Sequence, residues 1–240
     1  MKHAKRTLKV VFRISPAEEA SKWVYFAKKK RGSYGRPVTW FTHEIPAAIR
    51  PRLRRLPRAR AKALALRYVT DRMTLFKRDL ASTQYLLDRF FSRNGNVMLR
   101  DVARMTGRTM YAKRFYAYFT LLGICPYDYT KRSFMVSVRQ NMPKQLTTVC
   151  HEIMHFQFIH YYRRYCIENG LSEKQFQDLK EAMTVLLNQR TFRNYPMAID
   201  RGYDAHQPLR KELKWLWRRT RNYDEFLDRS IAATIKCLPA

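Results

Sequence analysis

The 240-residue chain is short of cysteine, of acidic side chains and of long apolar runs. Its four cysteines (Cys125, Cys150, Cys166 and Cys237) are widely spaced and form no C-x-x-C pair, which excludes a disulfide framework. No stretch approaches the roughly 18 consecutive apolar residues that a membrane-spanning helix needs. The N-terminal segment 1–23 is basic, but Lys9 and Arg13 break its apolar stretch. No secretory leader is therefore expected, and the cytoplasm is the expected location. There is no internal repeat, no low-complexity tract, and no zinc finger or RNA-recognition motif that would read a nucleic-acid sequence.

Acidic residues number 19 against 48 Lys and Arg, a formal charge of +29. Such a chain attracts polyanions, namely nucleic acid, an anionic membrane or an acidic substrate; a merely solvated basic surface is the plain alternative. The charge is densest in residues 50–67 and 210–221, the latter containing Trp215 and Trp217. Basic residues interleaved with aromatics suit non-specific nucleic-acid contact. Apolar and aromatic residues make up 46%, enough for a real core, so the chain is not a disordered basic tail. Its length allows one large domain or two small ones.

Residues 7–14 (TLKVVFRI) read as a strand. Ser15 and Pro16 then open a helix, with Glu18 and Glu19 in its first turn, and Gly32 and Gly35 are expected to end it. Residues 36–44 have strand character around Val38, Trp40 and Phe41. Residues 50–60, interrupted by Pro51 and Pro57, read as a basic linker or exposed binding segment. A long helix is expected over 59–93, stopped by Asn94-Gly95-Asn96, with a short helix over 97–106 closed by Gly107. Residues 111–125 favour a strand, 126–130 a turn, and 133–139 (SFMVSVR) an edge strand. The clearest helix covers 145–167 and ends at Asn169-Gly170. Ser172 and Gln175 form a capping box for a further helix reaching about residue 189. A last long helix is expected over 209–219, with a short one near the end.

Within the clearest helix lies His151-Glu152-Ile153-Met154-His155. Residues four apart differ by about 40° around a helix, so both imidazoles face one side and can grip one metal ion. Glu152 sits beside them without being a ligand, the arrangement that zinc-assisted hydrolysis requires. A third protein ligand is needed. His160 is nine residues past His151 and points to the opposite side, with Val149, Ile153 and Phe156, so it reads as a core or interface histidine. Cys150 and Cys166 read as structural. Glu181 is the better candidate. It lies on the next helix in a largely apolar setting, where a carboxylate costs several kcal/mol unless something positive meets it. Helix arms of about equal length on either side of the turn at 169–172 bring it level with His155. Asp178 is the fallback ligand, and an ion-paired structural carboxylate remains the plain alternative for Glu181.

HEIMH at 151–155 with KEAMTVLLN at 180–188 resembles the HExxH…E arrangement of gluzincin-type zinc metallopeptidases, over about residues 97–206. The resemblance implies zinc on His151, His155 and Glu181, and water activation by Glu152. It also implies a zincin scaffold in which the strand SFMVSVR lies as an edge strand over the motif helix and pairs with extended peptide substrate. The chain departs from familiar versions of the family. It has no N-E-x-x-x-D signature around Glu181, no G-x-x-H continuation after His155, and no G-H-G segment of the DNA–protein crosslink proteases.

After the Glu181 helix, residues 200–206 (DRGYDAH) suit a loop that returns over a site, where Tyr203 and His206 are donors suited to an oxyanion. The expectation is thus a helix-rich α+β zincin-like protein. Residues 1–57 would form a basic N-terminal α/β extension, 58–93 a long helix and 94–240 the zinc-dependent peptidase domain. A peptide or protein is the expected substrate and nucleic acid a possible partner; oligomeric state is left open. The alternative is a non-catalytic basic nucleic-acid-binding or regulatory protein on the same scaffold.

Overall fold

A computed structural model describes residues 7–30, 36–220 and 222–238. The chain is mixed α+β, rich in helix, with one small sheet. In order it forms β1 (Lys9–Arg13), α1 (Pro16–Ala27), α2 (Val38–Thr42), α3 (Arg50–Arg55), α4 (Arg58–Leu75), α5 (Lys77–Met105), β2 (Arg114–Thr120), β3 (Tyr127–Asp128), β4 (Ser133–Ser137), α6 (Met142–Glu168), α7 (Glu173–Met183), α8 (Gln207–Trp217) and α9 (Tyr223–Cys237). Short 3-10 turns occupy Thr184–Asn188, Arg190–Asn194 and Asp204–His206. Among the described residues no helix is long and apolar enough to cross a membrane.

The described residues divide into two compact units. One comprises those of 10–93 and 114–145, the other those of 7–9, 94–113 and 146–238.

In the first unit, Ser15 caps α1 by accepting from Glu18 N, with Pro16 in the first turn. Gly32 and Gly35, expected to end this helix, lie outside the described residues; α1 already stops at Ala27. The α4 residues Ala61, Ala65, Val69 and Met73 recur every fourth position and are buried. This stripe, small at Ala61 and Ala65, belongs to the helix that packs against α1, where Trp23, Val24 and Ala27 are buried. The strand order is β1-β2-β4-β3, with β2 and β4 parallel and paired from Tyr116↔Ser133 to Thr120↔Ser137. The N-terminal strand therefore belongs to the same sheet as β2. On β2, Phe115, Ala117 and Phe119 alternate inward as a half-buried strand requires.

Several expectations are corrected here. Residues 133–139 do not form an edge: β4 lies between β2 and β3, and all five of its residues are buried, Ser133 and Ser137 included. The alternation of Phe134 and Val136 with other residues suggested one covered face, but both are covered. Residues 38–42 are helical, not extended. Segment 50–60 is not a linker: Pro51 stands in the first turn of α3 and Pro57 caps α4, positions where a missing N–H costs nothing. The long helix breaks at Phe76 and then runs through Asn94-Gly95-Asn96 to Met105.

Packing explains that continuation in the second unit. Gly95 is buried, and Asn96 Oδ1 accepts a hydrogen bond from Leu8 N (3.1 Å), so residues that would stop an isolated helix are used for contact. From Gln145 to Phe158 every residue except the half-buried His151 is buried. This stretch of α6 is thus core helix, opened to solvent only at the first histidine of the motif. It ends as expected at Gly170, whose φ of +95° an L-residue with a side chain rarely adopts. The capping box of Ser172 and Gln175 starts α7. That helix stops at Met183, short of residue 189, and tightens into a 3-10 turn. The carbonyl of Glu181 is taken by Thr184 Oγ1 (2.8 Å), while Arg210 Nη1 lies 3.4 Å from the carbonyls of Glu181 and Ala182. α8 packs against α7 and α9 through Leu209, Leu213 and Leu216. α9, from Tyr223 to Cys237, is longer than the short terminal helix expected.

Candidate metal centre

His151 and His155 stand one turn apart on α6, their ring centroids 4.3 Å from each other. Glu181, in the last turn of α7, meets both: its Oε2 lies 3.5 Å from His151 Nε2 and 3.4 Å from His155 Nε2. One ligand atom from each of the three residues lies within 4.8 Å of the other two, close enough for the group to hold one ion. His155 and Glu181 are 2% and 5% exposed at their side chains, and His151 19%, so the His151 side is the approach from solvent. Two imidazole nitrogens and one carboxylate oxygen fit zinc and suit magnesium or calcium poorly.

Asp200 completes the arrangement. Its Oδ2 is 2.7 Å from His151 Nδ1. A carboxylate accepts, so Nδ1 carries a proton and Nε2 is the nitrogen directed at Glu181. Asp200 is itself fixed on every polar atom. Arg210 Nη2 donates to Oδ1 (2.9 Å) and to the carbonyl oxygen (2.6 Å), and Thr184 Oγ1, whose one proton is shared with the Glu181 carbonyl, lies 3.2 Å from Oδ1. Asn188 donates to the carbonyl (2.8 Å) and accepts from Asp200 N (2.9 Å). Arg210 passes so close to Gly202 that a Cβ there would sit 2.8 Å from the guanidinium, and Gly202 has a φ of +64°. A glycine is required at this turn on both counts.

The other oxygen of Glu181 faces a lysine ammonium. Lys180, only 1% exposed, places its Nζ 3.1 Å from Oε1. The ion-paired carboxylate and the histidine-facing carboxylate are therefore one residue, with different partners for each oxygen. Burial alone would push the Glu181 carboxyl up, but His155, Lys180 and His151 outweigh it and hold the group well below its ordinary range. Burial would pull His151 down, but the Asp200 carboxylate overrides it and raises the imidazole to about 10. His155 stays below its ordinary value because burial dominates, with Lys180 and His151 adding to it against the pull of Glu181.

Glu152 is buried, and its Oε2 makes no hydrogen bond to a described residue; it stands 3.6 Å from His155 Nδ1. His160 is turned away as expected, but it is exposed, not buried: its ring stacks on Tyr111 at 4.5 Å. α6 leaves the core after Phe158, so a face apolar at Val149 and Ile153 meets solvent by residue 160. Cys150 and Cys166 are buried free thiols whose burial raises their pKa, that of Cys166 to about 12, which makes them poor ligands. Asp178 meets His206 Nε2 at 2.9 Å and is not part of the three-residue group. Tyr203 lies edge-on to the His206 ring at 5.7 Å. The loop 200–206 does return to the motif histidines, through Asp200. Asp200, Lys180 and Arg210 are the participants that sequence reasoning did not single out. Comparison with family models, with characterised proteins and with solved structures finds no match to this chain.

Proposed function

We propose that the chain is a zinc-dependent hydrolase acting on peptide bonds. The observation that carries this reading is the meeting of His151, His155 and Glu181, with Glu152 between the two histidines on the same helix. A zinc ion held there would supply Lewis acidity toward a water and a carbonyl oxygen.

The chain's own residues do the remainder. Asp200 fixes the tautomer and direction of His151, and Arg210 with Thr184 fixes Asp200. Lys180 holds Oε1 of Glu181, which leaves Oε2 to the histidines. Glu152 takes a proton from the attacking water and delivers it to the leaving amine. Tyr203 and His206, on the loop that begins at Asp200, are the candidates to donate toward the oxyanion, His206 together with its partner Asp178. All four cysteines are free, which suits a reducing compartment, and the cytoplasm is the proposed location.

The test is Glu152→Gln, which keeps size and shape but cannot accept the proton. It should keep the metal and the fold and lower cleavage of an unstructured protein such as casein by about 10²–10⁴. Equal activity in the variant and the wild type would remove Glu152 as the base.

A further inference from the structure

Beyond Lys180 and Arg210 the proposed reaction makes no use of the chain's positive charge, and that charge is unevenly placed. Between Glu44 and Asp71 there is no acidic residue, while 50–67 carries seven Arg and one Lys. Two of these serve the fold: Arg50 donates to the carbonyl of Ile45, and Arg54 to that of Ala27. The other six, Arg52, Arg55, Arg58, Arg60, Lys62 and Arg67, are exposed and form no ion pair with a described residue. Some arginines elsewhere are matched by carboxylates, as in Arg104–Asp101, Arg108–Asp224, Arg163–Glu173, Arg164–Glu168 and Arg229–Glu225, while others such as Arg78, Arg193 and Arg218 are exposed and scattered. The six cations of α3 and α4 are thus presented outward without internal neutralisation, on a helix anchored from behind by Ala61, Ala65, Val69 and Met73.

We infer that α3 and the first half of α4 form a docking surface for the phosphate backbone of a nucleic-acid duplex. Arginine predominates, and its planar fork matches phosphate geometry. The segment 50–67 contains no aromatic side chain on which an unpaired base could stack, which argues against single strands. Leu66 is its one large exposed apolar residue, so it has no apolar face to sink into a bilayer. The 18 residues of α4 span about 27 Å, close to eight base-pair steps. Contacts of this kind position a protein without reading sequence.

The experiment measures binding of the full chain to a fluorescent 20-base-pair DNA duplex as a function of salt. Each phosphate contact releases about 0.9 counterion, so four lost contacts flatten the log–log slope by about 3.6. Replacing Arg52, Arg58, Arg60 and Lys62 by Gln should produce this flattening and weaken binding more than tenfold at moderate salt. A charge-retaining set, R52K/R58K/R60K, should bind nearly as the wild type does, and thermal melts of all variants should coincide. A control set with the same charge loss, K211Q/K214Q/R218Q/K236Q on or next to α8 and α9, should change the slope by less than one. Equal losses in the two Gln sets would show diffuse charge attraction and overturn the assignment. So would absence of binding at low salt, or tighter binding to single strands or to phosphatidylserine vesicles than to the duplex.

Discussion

Asp200→Asn probes how the centre is held. The substitution keeps the shape but gives one carbonyl oxygen and one NH₂ in place of two acceptors. If the oxygen faces His151 Nδ1, the NH₂ points at the Arg210 guanidinium, donor against donor. If the oxygen faces Arg210, the NH₂ faces Nδ1 and drives the His151 proton to Nε2, the atom that should hold the metal. In the first case a buried guanidinium loses its counter-ion, at a cost of about 3–5 kcal/mol in stability. In the second the loss falls on metal affinity, by about 10–100-fold as for other orienting carboxylates. A companion variant, Arg210→Met, removes the buried cation but leaves the Asp200–His151 hydrogen bond. The double variant should therefore recover part of the stability lost in Asp200→Asn but none of the zinc affinity. The assays are urea unfolding of the metal-free protein and zinc titration against a chromophoric chelator. If Asp200→Asn unfolded normally and bound zinc as tightly as the wild type, the claim that Asp200 orients His151 would be wrong.

Glu19 supplies a pH test in the other unit. Burial raises its carboxyl above the ordinary value, against hydrogen bonds from Trp23 Nε1 (2.9 Å) and Leu121 N (3.1 Å). Below the unfolded pKa the group is neutral in both states and contributes nothing. As pH rises past that value the unfolded chain ionises first, so stability falls until the folded pKa is also passed. Glu19→Gln should thus melt higher than wild type at pH 7 and alike at pH 4; a lower melting temperature at pH 7 would refute this. His160→Ala should leave zinc content unchanged, because His160 stacks on Tyr111 and is not part of the group formed by His151, His155 and Glu181.

The parts of this structure that were legible in the sequence are those decided locally. Ser15 with Pro16, and Ser172 with Gln175, satisfy helix N–H groups by themselves, so their helices begin where the residues say. His151 and His155 share a face through helix geometry alone, and the short turn at 169–172 brings Glu181 opposite them. What stayed hidden depends on tertiary partners. Asn94-Gly95-Asn96 would end a helix in water, but here Gly95 is buried and Asn96 is bonded to Leu8. β4 looked one-sided because Ser133 and Ser137 are polar, yet both are covered. Asp200 carries no spacing signal toward His151. Arg210 read as surface charge at the head of a basic run, although five acceptors lie around its buried guanidinium. Lys180 gave no sign of burial, since a charged residue beside an expected metal ligand would ordinarily be placed in solvent.

The most direct test of the central claim is the zinc content of purified wild type, Glu181→Ala and His155→Ala, with X-ray absorption on the wild type. The account predicts about one zinc per wild-type chain, two nitrogen ligands at about 2.0–2.1 Å, and loss of most of the metal in both variants. A wild-type chain that takes up no zinc, or a Glu181→Ala chain that retains full occupancy, would contradict it.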